Sequence, residues 1–532
     1  MAVITPQTDV YLLKVPLEMD EVNQLTFSNA TAQYNYFNSL PKIAVDDFTY
    51  QRKDSTIRFG ANFDSLITYN YCMYRNDAYS DKWFYAYITG MEYLNDNVTA
   101  ITIKTDVWQT WQFDLTYKPV FVEREHVNND TVGLHTVPEN LELGPFINNG
   151  VADNFAQTEL SSAYLCMGVS KVISPFDSNN PLTNWLTVYG GIYSGLTYMF
   201  FNSFVSLQRV IDYYAREGYA NDIQTIFYVP YTFISNSDPK TQTYTLSSAT
   251  NTATVTWIEP TDSPIYESKA FTKPNNLAGY VPKNNKLLCW PFCYFNITNN
   301  AGSEYSYHYE DFSGATANFT ASITLSPSMS INVVPSNYLN GNEDTAWTYG
   351  MSGAKTPQCS WITDYYTNWL TQNAVNMGMQ GVNTALSFGA SAVSGNMVGA
   401  ASSLLTGIGG VVNQIYQAEH TPNQVNGTIN NGDINFSSNK SCFTYLPKCI
   451  KREYAVIADN FLSMFGYAIH EVKFPNITGR RNWNYVKTQG CYIDGNIPQA
   501  DLEEIKGLFD KGITFWHNPA TFADYSQNND II

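Results

Sequence analysis

Ser352 and Lys355 stand three residues apart in "SGAK", the spacing at which a lysine can activate a serine nucleophile. A four-residue match recurs by chance in 532 residues, and a loop accounts for it. "DGNIPQADLEE", from Asp494 to Glu504, has the acidity of a calcium loop but lacks carboxylates at alternate positions. A turn followed by a capped helix explains it better. The histidines His126, His135, His308, His420, His470 and His517 are scattered, with no two at metal-ligand spacing. The cysteines Cys72, Cys166, Cys289, Cys293, Cys359, Cys442, Cys449 and Cys491 form no CxxC pair and lie far apart for a disulfide framework. They read as reduced thiols of a chain folded in a cytosol. GxSxG, HExxH and P-loop patterns are absent from the sequence. Paired catalytic carboxylates cannot be recognised in a sequence, so a glycosidase site stays open. No catalytic residue, cofactor site or metal site is expected, and the chain does not read as an enzyme.

A different spacing carries more. Gly395, Gly399, Ser403 and Gly407 recur at every fourth position, and "GNMVG" is a GxxxG. On a helix these residues form one stripe, the device that lets helix backbones approach closely in lipid. The other face holds Met397, Val398, Leu404, Leu405 and Ile408, with Val411 and Val412 following. From Met397 to Tyr416 the segment has the ~20 residues that cross a hydrocarbon core. A similar, shorter stretch, Met377 to Val393, contains Gly378, Phe388 and Gly389, and two helices joined near Gly395 would make a hairpin. The whole lies in a run without Asp, Glu, Lys or Arg between Asp364 and Glu419. At the chain's 14% charged fraction such a run should hold about seven or eight charges. Three readings remain: insertion into a membrane on demand, a buried plug, or a linker. Met, Leu, Ile, Val and Phe speak against the linker. Ser, Asn and Thr keep the hydropathy moderate, which suits a segment that first stays soluble and inserts later.

The elements around this run read as mainly β, in an α+β chain. The 39 Tyr and 30 Phe favour strand over helix, and 532 residues suffice for several domains. "AITIKTDVW" alternates, with Ile101, Ile103 and Val107 on one face and Thr102, Lys104 and Asp106 on the other. "KWFYAYITGMEYL" is its aromatic partner, closed by a turn at Asn95 to Asn97. In "SFVSLQRVIDYYAREG" Leu207, Val210, Ile211 and Tyr214 fall at helical spacing and Gly218 is the stop. "TATVTWIEP" and "ANFTASITLSPSMSINVVP" have period two, the latter broken at Pro327, and "NITNNAGSEYS" reads as a loop. After a flexible Asn- and Ser-rich connector, charge returns at Lys440, Lys448, Lys451 and Arg452. The C-terminal part ends in strands and one short helix, with Pro498 at its start, Leu502, Ile505 and Phe509 on one face and Gly512 as stop. No fixed-period repeat is present.

Net charge of −18 and a pI near 4.7 argue against a nucleic-acid binder. They suit a wall that lets DNA pass without holding it. The start, "MAVITPQTDVYLLKVPLEMDEV", has neither a basic n-region nor a long apolar h-region, so no signal peptide is expected.

Four stretches resemble a known family, the tail-knob (tail-tip) proteins of small, short-tailed, protein-primed bacteriophages of Gram-positive hosts. They are "QYNYFNS" (Gln33 to Ser39); Asp77 to Asp114, leading into "FVEREHV" (Phe121 to Val127); Asn482 to His517; and the apolar Gly/Ala/Ser/Met segment in the same relative place. The resemblance is weak from about residue 130 to 355. It implies a homohexameric tube at the distal end of the tail, β-rich domains lining a channel for DNA, and apolar loops that fill the mouth before ejection. The loops then emerge to form a pore in the host cytoplasmic membrane. Its implied partners are an adjoining tail-tube or lower-collar protein, DNA passing without specific binding, and that membrane. The implied organisation has residues 1–125 and 441–532 as two parts of one tube domain. Residues 126–357 are inserted β-rich middle domains, and 358–440 carry the membrane-active loop with flexible flanks. A receptor-binding adhesin whose loop is only a plug, and a wall hydrolase, are the competing functions.

Overall fold

Aromatic alternation pairs as its pattern requires: Trp83–Asn95 and Val98–Thr105 form an antiparallel hairpin closed at Asn95 and Val98. The structure, a computed structural model, describes residues 8–46, 55–76, 82–156, 163–300, 304–325, 330–338, 358–360 and 443–532. The chain divides into two units, one of Met1–Gly144, Tyr280–Leu287 and Arg452–Ile532, the other of Pro145–Gly279 and Leu288–Lys451. The return strand Phe443–Ile450, expected with the C-terminal part, therefore folds in the second unit.

In the first unit the hairpin lies in a six-stranded sheet ordered Lys42–Val45, Thr8–Leu13, Tyr71–Asn76, Trp83–Asn95, Val98–Thr105, Thr56–Phe59. Both faces of this sheet carry buried side chains. Leu12, Cys72 and Ile103 point to the helix Gln499–Lys511, which presents Leu502, Ile505 and Phe509. Leu13, Met73 and Tyr85 point the other way, to Phe37 of the helix Ala30–Ser39 and to Trp483 and Trp516. A five-stranded sheet joins the two ends of the chain: Asn23–Leu25 runs parallel to Ile513–Trp516, followed by Trp483–Gln489, Val120–Glu125 and Tyr467–Lys473.

Asp106 corrects the simple alternation. It is fully buried, because the strand ends at Thr105 and Asp106 caps the short helix Val107–Trp111, accepting from the Gln109 N–H at 2.9 Å. Its other oxygen accepts from Tyr71 Oη at 2.9 Å. Gln24, Gln33 and Gln109 complete the polar network around it. Besides the short helices Phe63–Leu66 and Val107–Trp111, two longer helices in this unit escaped the sequence reading, Ala30–Ser39 and Arg452–Phe465. Ala30–Ser39 is Asn- and Tyr-rich with little amphipathic signal, and its start is fixed by the Asn29 side chain accepting from Ala32 N–H.

The second unit contains a five-stranded sheet of Ile223–Pro230, Ala163–Val169, Thr197–Phe201, Asn251–Trp257 and Lys240–Ser248. The helix Phe204–Arg216 packs on it with Leu207, Val210, Ile211 and Tyr214 buried, the four residues that the helical spacing selects. Gly218 follows at φ +82°, the left-handed conformation of a helix stop. "NITNNAGSEYS" is not one loop. Cys293–Thr298 and Glu304–Tyr307 pair as a hairpin through it, their Asn and Ser residues taking positions that packing allows.

Candidate functional site

The candidate membrane-active residues, from Met377 and Gly378 to Val411 and Val412, lie outside the described residues, as do Ser352, Lys355 and Lys440. Described are the two strands between which that segment runs. The exit strand Gln358–Ser360 pairs antiparallel with Ser330–Pro335, at the edge of the four-stranded sheet Ile265–Thr272, Thr316–Thr324, Ser330–Pro335, Gln358–Ser360. The return strand Phe443–Ile450 is central in another sheet. On one side it pairs with Phe146–Asn148 and Asp153–Phe155, on the other with Cys293–Thr298, which pairs in turn with Glu304–Tyr307.

Aromatic side chains join these two sheets. Phe271 stacks on Tyr445 with ring centroids 4.1 Å apart and planes 5° from parallel. Phe155 sits against both Phe271 and Phe443, each at 5.7 Å. Phe319 meets Phe295 at 6.0 Å and Tyr307 at 5.3 Å. Each such pair adds ~0.5–1.5 kcal/mol beyond the area it buries. The Tyr309 and Tyr445 hydroxyls lie 2.6 Å apart in the buried interior, and burial pushes the Tyr445 phenol up to about 12. At the margin Lys269 pairs with Asp153 at 2.7 Å, one residue from each sheet. Thr444 Oγ1 donates to Asn154 Oδ1 at 2.8 Å, fixing the first turns of the return strand. The root is thus a two-sheet sandwich held by an aromatic seam, a rigid frame for whatever the intervening segment does.

The other candidate chemistry resolves into structure. Asp501 of the calcium-like stretch accepts from Trp111 Nε1 at 2.8 Å; the stretch starts in the short strand Ile493–Gly495 and ends in the first turns of the helix Gln499–Lys511. His126 is buried, with Nε2 3.0 Å from the Ser463 carbonyl, and Nδ1 accepts from the Tyr485 N–H at 2.8 Å. Desolvation first, and the Arg480 charge second, bring its pKa down to about 3. His517 contacts Thr26 Oγ1 at 2.7 Å and Asn484 Oδ1 at 3.0 Å, and burial brings it down to about 4. Lys448, from the basic cluster after the apolar segment, donates to Asn148 Oδ1 at 2.9 Å. Among the described residues no three His, Cys, Asp or Glu gather as a metal site. Six cysteines are described, all buried and none in a disulfide. Among the described residues no helix is long and apolar enough to cross a membrane, which says nothing of β-barrels.

Sequence reasoning missed the aromatic seam. Period two turns Phe295 and Phe319 inward, but a period does not say which sheet faces which. The seam joins residues from Phe155 to Tyr445, and no local signal spans that distance.

A family model described as "Bacillus phage phi29, Tail knob protein gp9, C-terminal domain" matches residues 259–530, just over half of the chain. A second, "Caudoviral major tail protein N-terminus", matches residues 6–116. The chain is 26% identical to tail knob protein gp9 of Bacillus phage B103 and 24% identical to that of Bacillus phage phi29. Each match covers 98% of this chain and 98% of the relative. Among solved structures, the bacteriophage C1 tail knob protein gp12 shares the fold with a TM-score of 0.66 at 16% identity. That match spans 99% of this chain and 100% of the C1 protein.

Proposed function

We propose a role from one premise: the chain belongs to the phage tail knob protein family of the Bacillus phage gp9 proteins, and is a component of the virion tail. In this reading six copies close head-to-tail into a ring at the distal end of the tail, against an adjoining tail-tube or lower-collar protein. The lumen passes DNA during ejection without gripping it. The apolar segments close the mouth, and later emerge to penetrate the host cytoplasmic membrane. Folding in the host cytoplasm precedes all of this, and no catalytic step is involved. The tube domain is built from the two ends of the chain, about residues 1–144 and 452–532, with most of 145–357 and the return strand Phe443–Ile450 in the inserted part and 358–440 as the loop.

One observation carries the membrane step: the charge-free run between Asp364 and Glu419, with its stripe Gly395, Gly399, Ser403, Gly407. A membrane-penetrating segment needs a firm anchor at both ends, and the strands on either side of the run belong to a well-packed sandwich. The test is dye release from liposomes by assembled protein whose loops have been exposed by mild acid. A charge at the centre of a spanning helix costs ~2.5–3.5 kcal/mol. Leu405→Asp should therefore lower the inserted population roughly a hundredfold per subunit. Release as fast as that of the unmodified protein would leave the segment as a plug and favour the adhesin reading. Negative-stain images should show a six-fold ring with a central hole.

A further inference from the structure

Within the root sandwich, Cys293 and Cys449 are direct cross-strand partners. Their position in the ladder follows from a neighbour. Pro447, paired with Phe295, has no N–H and so cannot belong to a hydrogen-bonded pair. Alternation then puts Cys293 and Cys449, two positions along, in the non-hydrogen-bonded register. Backbone bonds agree: the Cys293 N–H donates to the Cys289 carbonyl at 3.0 Å, and the Ile450 N–H to the Phe292 carbonyl at 3.0 Å. In that register Cα atoms lie ~4.5 Å apart and both side chains leave the same face. This is within the Cα separation of ~4.4–6.8 Å that a disulfide spans.

A cavity of about 530 Å³ lies next to the pair, lined by Asn149 and Ala278, which contact the two thiols, and by Pro447 of the return strand. Asn149, on its wall, directs Nδ2 to the Cys293 sulfur at 3.7 Å. The N–H of Ala278, also on the wall, donates to Asn149 Oδ1 at 2.7 Å and lies against the Cys449 thiol. Both thiols are thus buried, with one layer of residues, Asn149 and Ala278, between them and the cavity. A virion component is folded in a reducing cytosol and then released to an oxidising exterior.

We propose that Cys293 and Cys449 are a redox modification site, closing to a cross-strand disulfide once the assembled protein leaves the cytosol. Each S–H gives up a proton, one S–S bond forms, and the two electrons pass to dioxygen, reduced to hydrogen peroxide. In a test, a small disulfide such as oxidised glutathione takes them and becomes two thiols. The bond ties the return strand to its neighbour at the root of the apolar segment, and needs no assumption about membranes. Burial pushes both thiols up, Cys449 to about 11, so the reaction is slow at neutral pH.

The experiment uses full-length protein, purified under reductant and then held with oxidised glutathione at a pH of about 9 until thiol loss stops. Thiol titration after denaturation should show two thiols lost. Non-reducing digestion should yield one peptide pair joining Cys293 to Cys449. The bridged form should melt several degrees higher, a shift absent from Cys293→Ala and Cys449→Ser. A link from Cys289 to either residue overturns the proposal, as does a full complement of thiols at the end of the incubation. Peptide mapping of the unmodified protein decides the matter even where a variant fails to fold.

Discussion

His126 shows what burial does to a titratable group and gives a pH prediction. Its folded pKa, near 3, lies below the ordinary value of 6.5, so the folded protein holds it neutral while the unfolded chain takes a proton. Its stabilising contribution is complete above about pH 6.5 and is lost as pH falls toward 3, at up to ~1.4 kcal/mol per pH unit. Asp106 runs the other way. Burial pushes it up to about 6, so the folded state holds the extra proton between the ordinary 3.8 and 6. The contribution of Asp106 is present below 3.8 and is lost as pH rises through 6. The His126 part is isolated by comparison: His126→Gln should be less stable at pH 7 and show a shallower loss from pH 6.5 to 4, read by urea unfolding across pH. An unchanged slope would mean that His126 is protonated in the folded protein. At this scale the sequence was legible where one period governs, as with Leu207, Val210, Ile211 and Tyr214. Asp106 was not, because a carboxylate one step past a strand looks solvent-exposed until the capped helix behind it is seen.

Elements with explicit stops were the readable ones. The helix Gln499–Lys511 begins after Pro498 and ends at Gly512 with φ +98°, as a proline start and a glycine stop dictate. The helix Arg452–Phe465 went unread although it is amphipathic; its buried side carries two small residues, Ala455 and Ala458, with Asp459 and Leu462. Its stop makes a sharp test. Gly466 has φ +65°, and a Cβ there would collide with the Glu125 carbonyl on the neighbouring strand. Gly466→Ala should cost ~3 kcal/mol or more, because both the conformation and a backbone contact must give way. Thermal unfolding measures it, and a variant as stable as the parent would show that the close approach is absent. In the apolar segment the element-scale prediction concerns function instead. Gly399→Leu should leave ring assembly intact and lower liposome dye release, since it fills the stripe where helix backbones would approach in lipid. Undiminished release would remove close helix packing from the mechanism.

For the whole assembly the charge of −18 per chain sets the expected behaviour toward DNA. The proposed ring should bind duplex DNA weakly at ~0.15 M salt, where screening confines its field to ~8 Å. A mobility-shift titration with tight, salt-sensitive binding would contradict a passive channel. The overall division of the chain was harder to read, because residues distant in sequence close each unit. Asn23–Leu25 pairs with Ile513–Trp516, and Thr26 reaches the Trp516 carbonyl across 490 positions. That closure has a consequence for biosynthesis. At ~5–20 residues per second, an early strand waits tens of seconds on the ribosome before its late partner emerges. The second unit, whose strands have all emerged by Lys451, can finish first. Meanwhile the N-terminal sheet stands nascent, one apolar face awaiting Ile505 and Phe509 and the other Trp483 and Trp516. Chaperone demand during translation should therefore fall on the beginning of this chain, and should end only when its last strand is made.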